Sequence, residues 1–204
     1  ALSVYLRAVK PCPEKVINCL MQRGEFDKIV AYAAKVNYKV DYPYMLQQVV
    51  RSNPTAALDL AKMLNNAPGG RLMEPNTVFD IFMSCNLVRE VTAYLLDALK
   101  ENKNEEGFLQ TKVLEINLLG GNAQVADAIL TNSMFTHYDK PYVGKLCEQA
   151  GLVQRALEHY TDVADVKRVM QNAASMTPEF IYHSLVLFHK KIHWKYCMKC
   201  CHVI

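Results

Sequence analysis

The amino-acid sequence predicts an all-α fold, an α-solenoid (α-α superhelix) of short antiparallel helix pairs. Three observations carry that expectation. Apolar residues recur at i, i+3, i+4, i+7 along most of the chain, the spacing of a helix with one buried face. No sustained stretch alternates with period two, so essentially no sheet is expected. Turn signals return roughly every ten to fifteen residues, too often for long helices, and a short theme recurs between them. Gly24-Glu-Phe26-Asp-Lys-Ile-Val30-Ala-Tyr32 parallels Asn86-Leu-Val88-Arg-Glu-Val-Thr92-Ala-Tyr94, and again Gly151-Leu-Val153-Gln-Arg-Ala-Leu157-Glu-His-Tyr160 with Tyr one place later. The separations are 62 and 65 residues, about two helix pairs. Pairs that cannot bury a face alone must stack on their neighbours.

The elements follow in order. Gly24 ends a first helix, and Phe26, Ile29, Val30 and Ala33 form the apolar stripe of the next. Ser52-Asn53-Pro54 supplies a cap and a proline at a helix start. Ala67-Pro68-Gly69-Gly70 reads as a loop. Val91, Tyr94, Leu95 and Ala98 mark another stripe. Glu105-Glu106 stands at a helix start, where carboxylates suit the dipole. Gly120-Gly121-Asn122 is a stop followed by a cap, and His137-Tyr138-Asp139 is a capped turn before a helix from Lys140. Val143, Leu146, Cys147 and Ala150 form a stripe that Gly151 separates from the next, Val153, Ala156, Leu157 and Tyr160. About twelve or thirteen helices of two to four turns result.

Charge divides the chain. Residues 183–204 hold Lys190, Lys191, Lys195 and Lys199 and no acid, so they carry +4 of a net +3 and leave −1 on residues 1–182. They also hold Cys197, Cys200, Cys201, four of six histidines and the only tryptophan, Trp194. A net +3 does not imply nucleic acid, and Lys190-Lys191 is the longest basic run there. No apolar run approaches the roughly 18 residues a membrane helix needs. Ala1–Tyr5 lacks the basic start and apolar core of a signal peptide, and without an initiator methionine the chain reads as a piece of something longer.

Chemistry is sparse. Gly69-Gly70 and Gly120-Gly121 do not open a phosphate-binding motif after a strand. His137-Tyr138-Asp139 lacks a nucleophile or second acid at a telling spacing. Cys12, Cys19, Cys85 and Cys147 are widely spaced, the last three in helical patterns, and read as structural thiols. Zinc is the sharp reading of Cys197-Met-Lys-Cys200-Cys201-His202, but a four-ligand site usually draws on two such pairs, and His193 is the only other candidate nearby upstream. No catalytic, cofactor-binding or metal residue is assigned, and no enzyme is expected.

From residues about 108 to 169 the chain resembles the clathrin heavy-chain family. Leu114-Glu-Ile-Asn-Leu, Gln124-Val-Ala-Asp-Ala-Ile-Leu130, Met134-Phe-Thr-His-Tyr-Asp139, Leu146-Cys-Glu, Ala150-Gly-Leu and Gln154-Arg-Ala-Leu-Glu-His-Tyr-Thr-Asp162 stand in the family's order and spacing. Ala1-Leu-Ser-Val-Tyr-Leu-Arg7, Lys28-Ile-Val, Phe82-Met and Leu95-Leu-Asp-Ala-Leu99 extend the likeness over about 1–182. The resemblance implies a leg segment in the ankle and distal-leg region of a three-legged coat protein. Residues 1–53 would end one repeat and 54–182 form most of the next. It further implies a structural role in vesicle-mediated transport and endocytosis, at the cytoplasmic face of coated pits and vesicles. The partners would be other heavy-chain legs, with light chain and adaptors binding elsewhere on the parent; no nucleic acid or membrane insertion is implied. The alternative is an α-solenoid scaffold of a vesicle tethering or sorting complex with a zinc-binding tail.

After Thr177-Pro-Glu-Phe-Ile181 the likeness stops. Reading the tail's codons from each third base forces Leu from His193-Trp194, Glu from Trp194-Lys195, Leu from Tyr196-Cys197, Glu from Met198-Lys199 and Leu from Cys200-Cys201. That pattern, Leu-Glu-x-Leu-x-Glu-x-Leu, has a helical period and resembles the family's own acidic continuation. Residues 183–204 are therefore expected to be a frameshifted or unspliced reading, whose Cys197, Cys200, His202 and Trp194 were not selected to bind anything.

Overall fold

A computed structural model describes residues 12–172 together with Tyr182 and Val186. The expected change of reading frame and the tail cysteines lie outside the described residues. Eleven α-helices are described: α1 (Pro13–Gln22), α2 (Phe26–Val36), α3 (Tyr42–Ser52), α4 (Pro54–Asn65), α5 (Pro75–Ser84), α6 (Val88–Ala98), α7 (Gly107–Leu119), α8 (Ala123–Thr131), α9 (Lys140–Gln149), α10 (Val153–His159) and α11 (Val163–Asn172). A 3-10 turn, Asn104–Glu106, leads into α7. No strand occurs among the described residues.

Two compact units divide at Ala98 and Leu99. In the first, α1 packs on α2 and α3 on α4, while α5 packs on α6 and on α3, and α6 on α4. In the second, α7 packs on α8 and α9, and α9 on α10, which meets α11. Within each unit these contacts join neighbours in the chain or helices two places apart, the contact pattern of stacked pairs. Most of each predicted stripe is buried: Phe26, Ile29 and Ala33 on α2; Val91, Tyr94, Leu95 and Ala98 on α6; Val143, Leu146 and Cys147 on α9; Val30 and Ala150 are only half-buried.

The recurring sequence theme has a single structural cause. Four pairs are joined by three residues, the middle one left-handed: Gly24 (φ 69°), Asn86 (φ 56°), Gly121 (φ 77°) and Gly151 (φ 78°). The next amide then reaches back to a carbonyl five residues earlier, Glu25 to Leu20 at 3.0 Å, Leu87 to Phe82 at 3.1 Å, Asn122 to Asn117 at 2.9 Å and Leu152 to Cys147 at 2.8 Å. This is the Schellman closure, which satisfies a carbonyl that the helix end leaves open. Glycine or asparagine stands there because both tolerate positive φ.

Asn53 caps α4 through Oδ1, which accepts from the Ala56 amide at 3.1 Å, with Pro54 at the first helical position. Two expectations need correction. Asn122 occupies the N-cap of α8 but makes no side-chain capping bond; the Val125 amide donates instead to the Asn122 backbone carbonyl at 2.9 Å. Cys85 lies just past the end of α5 rather than within a helix, and is exposed.

Candidate interaction surface

The polar residues singled out in the sequence are held in structural bonds. The Asp139 carboxylate accepts from the Tyr142 amide at 3.1 Å and caps α9. The His137 amide donates to Gln110 Oε1 at 2.9 Å. The Tyr138 hydroxyl lies 2.8 Å from His159 Nε2, while His159 Nδ1 lies 2.6 Å from the Arg155 carbonyl. A carbonyl only accepts, so Nδ1 carries the proton and Nε2 accepts from Tyr138 in the neutral ring. Glu105 and Glu106 belong to the 3-10 turn before α7. Cys12, Cys19, Cys85 and Cys147 are free thiols. Burial pushes the Cys147 thiol up to about 11, which makes it a packing group rather than a nucleophile. Among the described residues no group of three or more His, Cys, Asp or Glu could hold a metal ion.

Polar ties between helices concentrate in the second unit. Arg155 on α10 donates through Nε to Asp127 at 2.6 Å and through a terminal nitrogen to Thr131 at 2.5 Å, both on α8. Arg168 on α11 bonds Glu148 on α9, which also accepts from the Tyr160 hydroxyl at 2.6 Å. The hydrogen bond from Arg168, joined by that from Tyr160, holds the Glu148 carboxyl below its ordinary value. A depressed native pKa gives stability that is complete above the unfolded value and fades as pH falls through the native one. Glu148→Gln is therefore expected to lower the thermal midpoint at pH 7. The gap to the parent should close as pH drops from near 4.5 downward, which melts in a pH series would register; a gap that widens on acidification would contradict this tie.

Two large apolar side chains of α7 remain outward. Helix α7 buries Leu109, Val113, Leu114 and Leu118, with Gln110 and Asn117, yet leaves Phe108 66% and Leu119 61% exposed. Positions 108, 112, 115 and 119 fall within an arc of about 60° on the helix surface. Between the two apolar ends sit Lys112 and Glu115, joined at 2.7 Å. The Lys112 ammonium also stands 5.7 Å from the centre of the Phe108 ring. Glu115 accepts from the Tyr142 hydroxyl at 2.7 Å. Partial burial raises its carboxyl, but the hydrogen bonds from Lys112 and Tyr142 outweigh that and hold it low, hence charged. Alongside runs a groove of about 470 Å³ whose walls include Phe108, Thr111, His137 and Tyr142. Exposed aromatic rings are enriched at association surfaces. The sequence reading missed Phe108 and Leu119; the available signal was two large apolar residues outside the buried stripe of one helix.

The family described as a region in clathrin and VPS matches residues 70–194. The chain is 51% identical over 181 residues to the clathrin heavy chain of Drosophila melanogaster, covering 89% of this chain and 10% of that one. It is 46% identical over 200 residues to clathrin heavy chain 2 of Oryza sativa subsp. japonica, covering 98% and 11%. It is 45% identical over 206 residues to clathrin heavy chain 2 of Homo sapiens, covering 100% and 12%. The chain thus spans about a tenth of the length of the curated relatives it matches.

Proposed function

Because the chain belongs to the clathrin heavy-chain family, we propose that it is a structural leg segment of such a chain. Its task is to give length and stiffness to the leg and to pack sideways on other legs in a polyhedral coat. The carrying observation is identity near one half, maintained over nine-tenths of the chain, on helices stacked in pairs. Helix pairs that stack on their neighbours leave side surfaces free for lateral contact. On this reading the segment has no catalytic task. It works at the cytoplasmic face of coated pits and vesicles, and light chain and adaptors bind other parts of the parent. No described helix is long and apolar enough to cross a membrane. The tethering-scaffold alternative finds no support in the three relatives named above, each a clathrin heavy chain.

Two finer proposals accompany this one. Residues 1–53 close one sequence repeat and 54–182 form most of the next, a periodicity distinct from the compact units. Residues 183–204 are a frameshifted or unspliced reading, tested by the nucleotide sequence across the codons for Ile181 to Ser184; stop codons in the shifted frame would end that idea. The main reading is tested by a chimera. The Drosophila heavy chain carrying residues 1–182 of this chain, in place of its own matched segment, is expected to assemble into coats seen by electron microscopy. A chimera that folds but does not assemble overturns the leg assignment.

A further inference from the structure

We propose that the outward face of α7 pairs with the same face of a second copy, antiparallel, about a two-fold axis passing between Val113 and Leu114. This inference rests on the leg reading and names one of its lateral contacts. Its basis is the order of side chains along the face: Phe108, Lys112, Glu115, Leu119. Reversing the helix about that midpoint sets position 108 against 119 and position 112 against 115. Phe108 of each copy then meets Leu119 of the other, and each Lys112 meets a Glu115. The surface is complementary to itself in both apolarity and charge, which a two-fold contact requires.

The charges are placed before any partner arrives. The Lys112–Glu115 pair is joined at 2.7 Å, and the Tyr142 hydroxyl bonds the other Glu115 carboxylate oxygen at 2.7 Å. Pairing converts two such ion pairs into a ring of four alternating charges, flanked at each end by a Phe108–Leu119 contact. The two rim residues, more than half exposed, are the apolar surface that pairing would remove from water. The face is about 16 Å long. It is smaller than a stable stand-alone interface of roughly 1,200 Å² or more, so the contact is weak singly and effective when repeated in an assembly.

The test uses charge reversal. Wild-type chain is expected to show reversible dimerisation by analytical ultracentrifugation, and to be dispersed by Phe108→Ser with Leu119→Ser. Lys112→Glu alone and Glu115→Lys alone each set like charges together and should weaken self-association by about tenfold or more. Mixed in equal amounts, the two variants restore both opposite-charge contacts, and association should return to within about threefold of wild type. Circular dichroism of each variant confirms retained helix. A wild-type chain that stays monomeric up to about 1 mM, or a mixture no tighter than its components, overturns the pairing. Coat assembly by the chimera separates the two readings. Normal assembly without rescue in the mixture rejects only this contact, whereas failure of the chimera to assemble rejects the leg role and leaves the mixing result to stand by itself.

Discussion

Phe82→Ala is expected to be the most damaging single change in the first unit. Phe82 is fully buried on α5, the helix that packs on both α3 and α6. Its carbonyl also accepts the Leu87 amide in the closure leading to α6. Truncating a buried phenyl ring removes transfer energy and leaves a cavity, at a cost of about 3–5 kcal/mol. A helix touching two neighbours in a stack offers little freedom to collapse into that space. Amide exchange under native conditions should therefore accelerate by about a hundred- to a few thousand-fold within α3, α5 and α6. Urea unfolding of the same variant should show the matching drop in midpoint. A loss below about 1 kcal/mol would mean that α5 is not a core element.

Gln110→Leu should be the second, in the other unit. Gln110 is fully buried, and both its amide nitrogen and its amide oxygen are engaged. Its Nε2 donates to Asn102 Oδ1 at 3.0 Å and faces the Lys103 carbonyl at 3.4 Å, while its Oε1 accepts from the His137 amide. Asn102 in turn donates to Thr136 Oγ1 at 2.9 Å and accepts from the Thr136 amide at 3.1 Å. Together the two side chains clip the segment 132–139, with its groove wall of His137, Tyr138 and Asp139, to the turn before α7. Leucine fills the space but strands the His137 amide in a part-buried setting, at about 1–3 kcal/mol. Exchange of the 136–139 amides should rise first. Gln110→Glu keeps an acceptor for His137 and should protect that amide better than leucine does. Equal loss in both variants would show that the site tolerates no charge, rather than that the acceptor matters.

Much of this was legible in the chain itself. Helical periodicity marked the buried faces of α2, α6, α9 and α10 because burial in a helix forces a spacing of three and four residues. Gly24, Asn86 and Gly151 marked the turns because a left-handed residue restricts side-chain choice at one position. Asn53-Pro54 and Asp139 marked helix starts because a cap is a local bond, closed within three residues. Asn122 looked the same and behaved differently: the Val125 amide bonds its backbone carbonyl rather than its side chain, a choice between two local acceptors that composition does not rank.

The sequence by itself determined the fold class, the pair-by-pair turns and the family, since each is written in contacts between residues near in the chain or in long ordered runs of identity. Tertiary structure alone decided which polar groups meet across helices. Arg155 with Asp127, Gln110 with His137 and Tyr142 with Glu115 are 27 or 28 residues apart and share no spacing that reveals them. It also decided that Phe108 and Leu119 face outward. Periodicity locates apolar residues on a helix, but whether a given one is covered depends on where neighbouring helices lie, and that is fixed only when the stack has formed.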